Sequence, residues 1–220
     1  MKYIFLALST LSLCACSVSE TEQEPTIDSI VLLEEYTENG ITCIAEGIYP
    51  KISGLTSKQV EVNINSYFDE FTYGIREDMR NCPKFLANVT EDEAELTDTT
   101  DVDFVVTRLD NQYLSIILMR SQYFEGAARP NNSIDTFVFD IATGQPIPVE
   151  DFADTSVLTE YVKTQVAKEG LGDYPSETSN PIKKYFLTEK DLVLVDLFFV
   201  HAIQAFEVKV PLAEIVDLNI

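Results

Sequence analysis

Four cysteines and a single histidine are the residues with the most specific potential chemistry, and their spacing disfavours most of it. A structural zinc site needs about four thiolate or imidazole ligands, often in C-x-x-C pairs. The chain has one histidine, His201, and no C-x-x-C pair, so we expect no metal site and no cofactor. A catalytic pair of a cysteine with His201 remains an alternative. His201 follows Phe198, Phe199 and Val200, a context more typical of a packed ring.

The 37 acidic side chains could supply a pair of carboxylates for hydrolysis. In such a site one carboxyl with a raised pKa donates a proton while the other stays ionised. Asp110, Asp140 and Asp151 are candidates, but Asp110 and Asp140 are typical of turns in which the side chain bonds the backbone. The chain lacks G-x-S-x-G, a glycine-rich phosphate loop and H-E-x-x-H. We predict no catalytic residues and no enzyme; a peptidoglycan- or polysaccharide-acting enzyme is the alternative.

The N-terminus has the pattern of an export signal. Lys2 precedes an uncharged run over residues 3–13, which as a helix would cover about 16 Å, half of a bilayer core. The next residues, Leu13-Cys14-Ala15-Cys16, resemble the lipobox of bacterial lipoproteins. The resemblance implies that residues 1–15 are removed and that Cys16 is the lipid attachment site. An ordinary signal peptide is the alternative.

Lipid attachment at Cys16 would hold the protein on a membrane, because two or more acyl chains anchor stably where one does not. Ser17 stands where Asp would favour inner-membrane retention. The resemblance therefore implies a bacterial envelope lipoprotein, on the outer membrane and facing the periplasm. Residues 16–26 are polar or acidic and contain Pro25, which predicts an extended tether.

Cys43 and Cys82 remain once the signal is removed, and an exported chain meets an oxidising compartment. We therefore predict a disulfide between them. Closing a loop of about 40 residues would stabilise the fold by about 4 kcal/mol in the chain-entropy treatment.

The formal net charge of −22 restricts the partners of this chain. Such a field repels nucleic acid and anionic lipid headgroups, and it favours encounters with basic partners. We expect no nucleic-acid binding. A basic protein or a cell-wall glycan is compatible with this composition.

The acidic segment 90–103 suggests a calcium site as one interpretation, because Asp98, Asp101 and Asp103 lie close together. It lacks the turn glycine and the terminal glutamate of an EF-hand loop. We predict a solvated acidic loop or an exposed strand edge here.

Strand patterns dominate the mature chain. Residues 27–36 and 41–49 are strand-like and joined at Asn39-Gly40, a strong hairpin signal because both residues tolerate positive φ. Further strands are predicted over 102–141, with a two-residue turn at Asp110-Asn111, and in the last forty residues, where a proline-started turn follows the final strand.

Two helices are predicted between the strands. The first has Thr56 as its N-cap and Gln59 in the capping-box position, and it brings Cys82 back to the second strand. Gly74 weakens the expected continuity of this helix. The second helix covers 155–168. This arrangement predicts an α+β fold in which an antiparallel β-sheet is covered on one face by two main helices.

Several short motifs occur in a characteristic order: YPKISGL at 49–55, YFEGAARPN at 123–131, FDIATGQ at 139–145 and FEVKVPLAEI at 206–215. Their succession resembles the extracellular domain of RsiV-type anti-sigma factors and the non-catalytic region of PdaC-type polysaccharide deacetylases. The resemblance covers most of residues 40–216. We divide the domain into an N-terminal half, 27–108, and a C-terminal half, 109–220.

The resemblance implies a cell-envelope binding domain of unknown function whose best-understood members bind lysozyme. It implies candidate binding residues at Tyr123, Gly126, Arg129 and Asn131. The family usually has His where Arg129 stands, so a ligand contact made at this position would differ from that of the family. An envelope-maintenance protein without a dedicated ligand is the alternative.

Overall fold

The computed structural model describes residues 24–87, 96–170, 182, 184–195 and 207–218. The export signal, the lipid attachment site Cys16, most of the tether and His201 lie outside these residues, so the predictions about them stay predictions. Within the described ranges, no helix combines the length and the apolar character that crossing a membrane requires.

The first two strands form the predicted hairpin. β1 (Thr26–Glu38) pairs antiparallel with β2 (Ile41–Ser53). Asn39 and Gly40 connect them with φ angles of 54° and 81°. Two positive φ angles in succession are what a two-residue hairpin turn of this kind needs, so the Asn-Gly prediction is confirmed.

The N-terminus of the long helix lies slightly later than predicted. α1 covers Lys58–Ala87, so the cap position falls on Ser57 and the prediction of Thr56 is wrong. The Ser57 hydroxyl accepts the N–H of the third helical residue at 3.4 Å. Glu61, rather than the predicted Gln59, reaches back to a backbone N–H that precedes the helix. A hydroxyl and a longer polar side chain therefore cap the helix in the expected way, but Ser57 and Glu61 supply them in place of Thr56 and Gln59.

α1 is continuous from end to end. It passes Gly74 without interruption and continues beyond Pro83 for one further turn. Cys82 near its C-terminal end is bonded to Cys43 on β2, with the two Cα atoms 6.2 Å apart. The predicted disulfide is confirmed, and it joins the end of the helix to the hairpin.

The strands that follow α1 complete a six-stranded sheet. Its order is β1-β2-β3-β4-β5-β6, with β3 at Leu96–Leu109, β4 at Tyr113–Phe124, β5 at Asn131–Asp140 and β6 at Gln145–Pro146. β3 pairs with β2 in parallel because α1 carries the chain back across the sheet, and the other pairings are antiparallel.

Two aspartates hold turns of this sheet, as predicted. The Asp110 N–H donates to the Tyr113 carbonyl at 3.1 Å, so Asn111 and Gln112 are the central residues, one position later than predicted. The Asp110 carboxylate accepts the N–H groups of Gln112 and Tyr113, each at 2.8 Å. Asp140 likewise accepts a backbone N–H two residues on, at 2.7 Å.

The part of the chain described after β6 forms a second, smaller sheet and two further helices. The elements are α2 (Thr155–Lys168), the three strands β7 (Lys184–Leu187), β8 (Asp191–Val195) and β9 (Val208–Pro211), and α3 (Leu212–Leu218). The bounds of α2 agree with the prediction. Where a turn was expected after the last strand, the chain forms the short helix α3. The predicted α+β class is confirmed, with the second sheet as an addition and with β2 and β3 as a parallel pair in an otherwise antiparallel sheet.

The hydrophobic core is divided between the two main helices. Ile64 and Phe68 of α1 pack in one cluster with Phe139 of β5. The neighbouring Val138 belongs to another cluster, which contains Leu158 of α2 and residues of the second sheet. Adjacent residues of a strand point to opposite faces, so the two clusters lie on the two sides of β5. The two main helices therefore pack on opposite sides of this strand, and the prediction that both cover one face of the sheet is wrong.

Candidate functional site

A cavity of about 660 Å³ lies beside the disulfide. Its wall combines the C-terminal part of α1, the inward side chains of β3 and β4, and the segment that joins β4 to β5. Arg129 and Asn131, two of the four candidate binding residues, line this cavity. Tyr123 does not line it, and Gly126 occupies a turn with φ of 89°. The structure therefore brings together half of the predicted binding residues.

Asp98 is the unusual residue in the cavity wall, because it is an acidic residue that is only 2% exposed. Its Oδ2 accepts a hydrogen bond of 2.7 Å from the Gln122 side-chain amide. Its Oδ1 has no hydrogen-bond partner among the described residues. Burial raises the pKa of Asp98, against the opposing effects of the Gln122 hydrogen bond and the charge of Arg120. A buried acceptor without a donor costs free energy, so this position is not optimised for stability alone.

The prediction of a solvated acidic segment is wrong for Asp98. β3 already begins at Leu96, in the interior of the sheet, and Asp98 points toward α1. Asp101 and Asp103 are exposed. The three carboxylates therefore do not converge on one point, as a calcium site would require. The alternation of Leu96, Asp98, Thr100 and Val102 was the sequence signal that could have revealed the burial of Asp98.

The ligand atoms of Cys43, Cys82 and Asp98 lie within 4.8 Å of one another, the spacing of a metal site. The two sulfurs are bonded to each other and carry no free thiolate. The carboxylate is thus the one remaining ligand of this group, and Asp98 Oδ2 contacts the Cys82 sulfur at 3.3 Å. The expectation of no metal site stays a prediction.

The raised pKa of Asp98 gives a testable pH dependence of stability. A folded-state pKa above the unfolded value means that the folded protein binds more protons than the unfolded chain. The free energy of unfolding should therefore fall as the pH rises from about 4 through the folded-state pKa. Asp98→Asn removes this dependence. Urea unfolding between about pH 4 and 7 should show the variant gaining stability relative to the wild type as the pH rises. The exposed variant Asp69→Asn is the control for the loss of one carboxylate. If the difference in unfolding free energy between Asp98→Asn and this control did not change with pH, the burial of a titrating Asp98 would be contradicted.

A second surface lies on the opposite side of the same strands. We call it the open face, and it consists of outward side chains of β1 to β3: Val31, Leu33, Glu35, Ile44, Glu46, Ile48, Asp101, Asp103 and Val105. Strand pairing places Val31 opposite Ile48, Leu33 opposite Glu46, and Glu46 opposite Asp101. Val31 and Leu33 are 73% and 68% exposed. The four carboxylates are exposed as well, so this face is both apolar and acidic.

The charges of the open face are of one sign. The stretches 31–35, 44–48 and 99–105 that form it contain no lysine or arginine. Glu46 and Asp101 lie side by side on neighbouring strands. Like charges in such positions repel each other, so this pair lowers the stability of the folded protein. Tyr123, the candidate binding residue that the cavity excludes, pairs with Thr99 and extends this face onto β4.

The carboxylates considered for hydrolysis serve the fold instead. Asp110 and Asp140 bind backbone N–H groups of their turns. Burial alone would raise the pKa of Asp110, but the N–H groups of Tyr113 and Gln112 and the Arg108 guanidinium lower it. A carboxyl with a lowered pKa is a poor general acid. Asp151 is exposed in a single turn of 3-10 helix at Val149–Asp151.

No protein-family model matches the chain, and no curated protein matches it either. Among solved structures, the fold is similar to that of a DUF3298 family member from Bacteroides fragilis NCTC 9343. The two chains are 15% identical with a TM-score of 0.68, over 90% of this chain and 94% of that one. A DUF3298 family protein from Pseudomonas aeruginosa PAO1 is 9% identical with a TM-score of 0.54, over 89% and 94%. At these identities the likeness shows a shared fold, that of a domain of unknown function.

Proposed function

We propose that this chain is a cell-envelope lipoprotein whose folded domain captures a basic protein, with a lysozyme-like muramidase as the partner class. The resemblance to RsiV- and PdaC-type domains suggests the partner. The net charge of −22 suggests the sign of the interaction. The open face supplies the surface on which the capture occurs.

The observation that carries this proposal is the composition of the open face. Exposed apolar side chains such as Val31 and Leu33 stand beside Glu35, Glu46 and Asp101, without a compensating cation in the same stretches. A basic partner would neutralise the carboxylates, and its apolar atoms would cover the exposed side chains. Charge complementarity of this kind accelerates encounter and selects the partner, while apolar contact supplies affinity.

The proposed role is binding without catalysis. Asp110 and Asp140 are occupied by backbone hydrogen bonds, and Asp98 lies on the other side of the sheet from the open face. A partner held at the open face would therefore meet no buried carboxyl with a raised pKa. Capture of the partner, rather than its chemical conversion, is the activity that this arrangement favours.

The proposed anchor is compatible with this role. Cys16 would carry the lipid, and residues 16–26 would form the tether that leads to β1. The ten residues 16–25 that precede β1 reach at most about 36 Å when fully extended. The domain would thus stay within a few nanometres of the outer membrane, where it could intercept a muramidase on the periplasmic side.

Capture should be measured with hen egg-white lysozyme as the probe, at about 10 mM and about 1 M salt. The Debye length falls from about 30 Å to about 3 Å over this range. We expect binding at low salt and at least tenfold weaker binding at high salt, because screening removes the attraction between the two proteins. Lysozyme with acetylated lysines is the matched control and should bind poorly at both concentrations. An absence of binding at low salt, or binding that is insensitive to salt, would exclude the proposal.

A further inference from the structure

The cavity beside the disulfide has features that capture at the open face does not use. It lies on the helix side of β3 and β4, since Asp98 and Phe124 pair across these strands and their side chains point inward. The outward neighbours Thr99 and Tyr123 belong to the open face. A volume of about 660 Å³ is within the range of small-molecule sites, which is about 300–1,000 Å³.

The charges in the cavity wall balance. Asp78 and Arg120 form an ion pair at 2.8 Å, and Asp98 and Arg129 supply one further charge of each sign. The wall is formally neutral in a chain of net charge −22, so its composition differs from that of the remaining surface. A charged ligand would gain no net electrostatic attraction in this cavity to offset the loss of its hydration. A neutral ligand loses less hydration free energy on entering.

The polar groups of the wall suit a ligand with many hydroxyl groups. Asp98, Gln122, Arg129 and Asn131 have planar end groups that present hydrogen-bond donors or acceptors side by side. Neighbouring hydroxyls of a sugar ring both donate and accept, and they match such groups. The Oδ1 of Asp98 is a buried acceptor that lacks a donor in the described structure, and rotation of the carboxylate would bring it to a ligand hydroxyl, which is a donor.

An aromatic side chain completes the wall. Phe85 lies on α1 at the cavity and is 66% exposed, although a phenyl ring gains nothing from contact with water. The apolar C–H face of a pyranose would cover this ring and remove it from solvent. The cavity thus has polar groups for hydroxyls and an apolar surface for a ring face.

We propose that the cavity beside the Cys43–Cys82 disulfide is a binding site for a neutral saccharide unit. Asp98 and Gln122 bind hydroxyl groups of the sugar on the inner wall. Arg129 in the loop after β4 and Asn131 at the start of β5 bind further hydroxyls, and Phe85 packs against the ring. This site is separate from the open face and does not depend on the capture of a basic protein.

The test is an NMR titration of the whole folded domain with methyl glycosides of glucose, galactose, mannose and N-acetylglucosamine. We expect at least one to shift the amide signals of Gln122 and Asn131, with a dissociation constant below about 10 mM. Glucuronate and glucosamine, which carry a negative and a positive charge, should bind no more tightly than the neutral ring. The absence of shifts with all four glycosides, or tighter binding of a charged sugar, would overturn the proposal.

Two variants on the same helix make the test specific. Phe85→Ala removes the exposed ring at the cavity, and Tyr73→Ala removes an aromatic side chain of α1 that is 61% exposed and lies away from the cavity. Both replacements are at exposed positions, so both proteins should fold. We expect Phe85→Ala to weaken sugar binding about tenfold and Tyr73→Ala to leave it unchanged. Equal effects of the two variants would contradict the site.

A third variant separates the two proposed sites. Glu46→Gln with Asp101→Asn changes the open face and should leave sugar binding intact, so the sugar site and the capture of a basic protein can fail independently.

Discussion

Replacing Cys43 and Cys82 together with alanine is expected to lower the free energy of unfolding by about 4 kcal/mol. The disulfide closes a loop with a sequence separation of 39, and its loss restores the conformational freedom of that loop to the unfolded chain. Both cysteines are buried, at 0% and 8% exposed, and alanine lacks only the sulfur atom, so each replacement leaves a small void. Urea unfolding of the variant and the wild type measures the difference directly.

Reduction provides the matched control for this prediction. A strong reductant should destabilise the wild type by a similar amount, and it should leave the double alanine variant unchanged. A variant as stable as the oxidised wild type would show that the link between α1 and β2 is not a major source of stability. Response of the alanine variant to the reductant would show that the effect does not come from this bond.

Gly47→Ala is expected to destabilise the protein by roughly 3 kcal/mol or more, the size of combined backbone strain and overpacking. Gly47 has a φ of 134°, a conformation that residues with a Cβ rarely adopt. A Cβ built there would lie 1.9 Å from the Val102 carbonyl oxygen on the neighbouring strand β3. Relief would require β2 and β3 to separate, at the point where their parallel pairing ends.

Gly74→Ala is the control with the same chemical change. Gly74 lies within α1, and a Cβ there would meet no atom within 4 Å. This variant should gain up to about 1 kcal/mol, because alanine favours the helix. Thermal or urea unfolding should thus move in opposite directions for the two variants. A wild-type stability for Gly47→Ala would contradict the close approach of β2 and β3.

Local signals in the sequence predicted the elements well. Asn39-Gly40 specified its hairpin because the two residues tolerate positive φ without help from the rest of the fold. The sequence predicted a helix that brings Cys82 back to β2 and expected Gly74 to weaken it, but α1 is unbroken at Gly74 because its packed face outweighs the intrinsic cost of one glycine. The cap was displaced by one residue since Thr56 and Ser57 offer the same hydroxyl chemistry.

Long-range pairing was harder to predict. The parallel pairing of β2 with β3 depends on where the chain re-enters the sheet after α1. No local sequence pattern specifies that point. The start of β3 was hidden within an acidic run, so Asp98 was expected in solvent although the strand buries it. Acidic side chains are seldom buried without hydrogen-bond partners for both oxygens. Asp98 is an exception to this rule, and the exception draws attention to the cavity.

The candidate site was predicted in part, and the reason is geometric. Arg129 and Asn131, which the resemblance gave as candidate binding residues, lie in the cavity wall. Tyr123 belongs to the same motif, but it is still within β4, where alternate side chains face opposite sides of the sheet. Phe85 and Asp98 join the cavity from distant parts of the chain. Such a combination arises from the fold and leaves no trace in the spacing of residues.

The cavity and the open face lie on opposite sides of β3 and β4. Asp98 faces α1, whereas Asp101 faces outward three residues further along the strand. A basic protein and a neutral sugar could therefore bind at the same time. Removal of charge from the open face should weaken the first interaction and leave the second unchanged.

The most direct test of the proposed function is the dissociation constant for lysozyme of two variants with equal charge. Glu46→Gln with Asp101→Asn removes the adjacent carboxylates of the open face. Asp69→Asn with Glu70→Gln removes two exposed carboxylates from α1. At about 0.1 M salt the Debye length is about 10 Å, so distant charges are largely screened and contact charges are not.

We predict that the open-face variant binds lysozyme about tenfold more weakly than the wild type, whereas the α1 variant binds within about twofold of it. The open-face variant should also be as stable as the wild type or slightly more stable, because the repulsion between Glu46 and Asp101 is gone. Equal dissociation constants for the two variants would contradict capture at the open face.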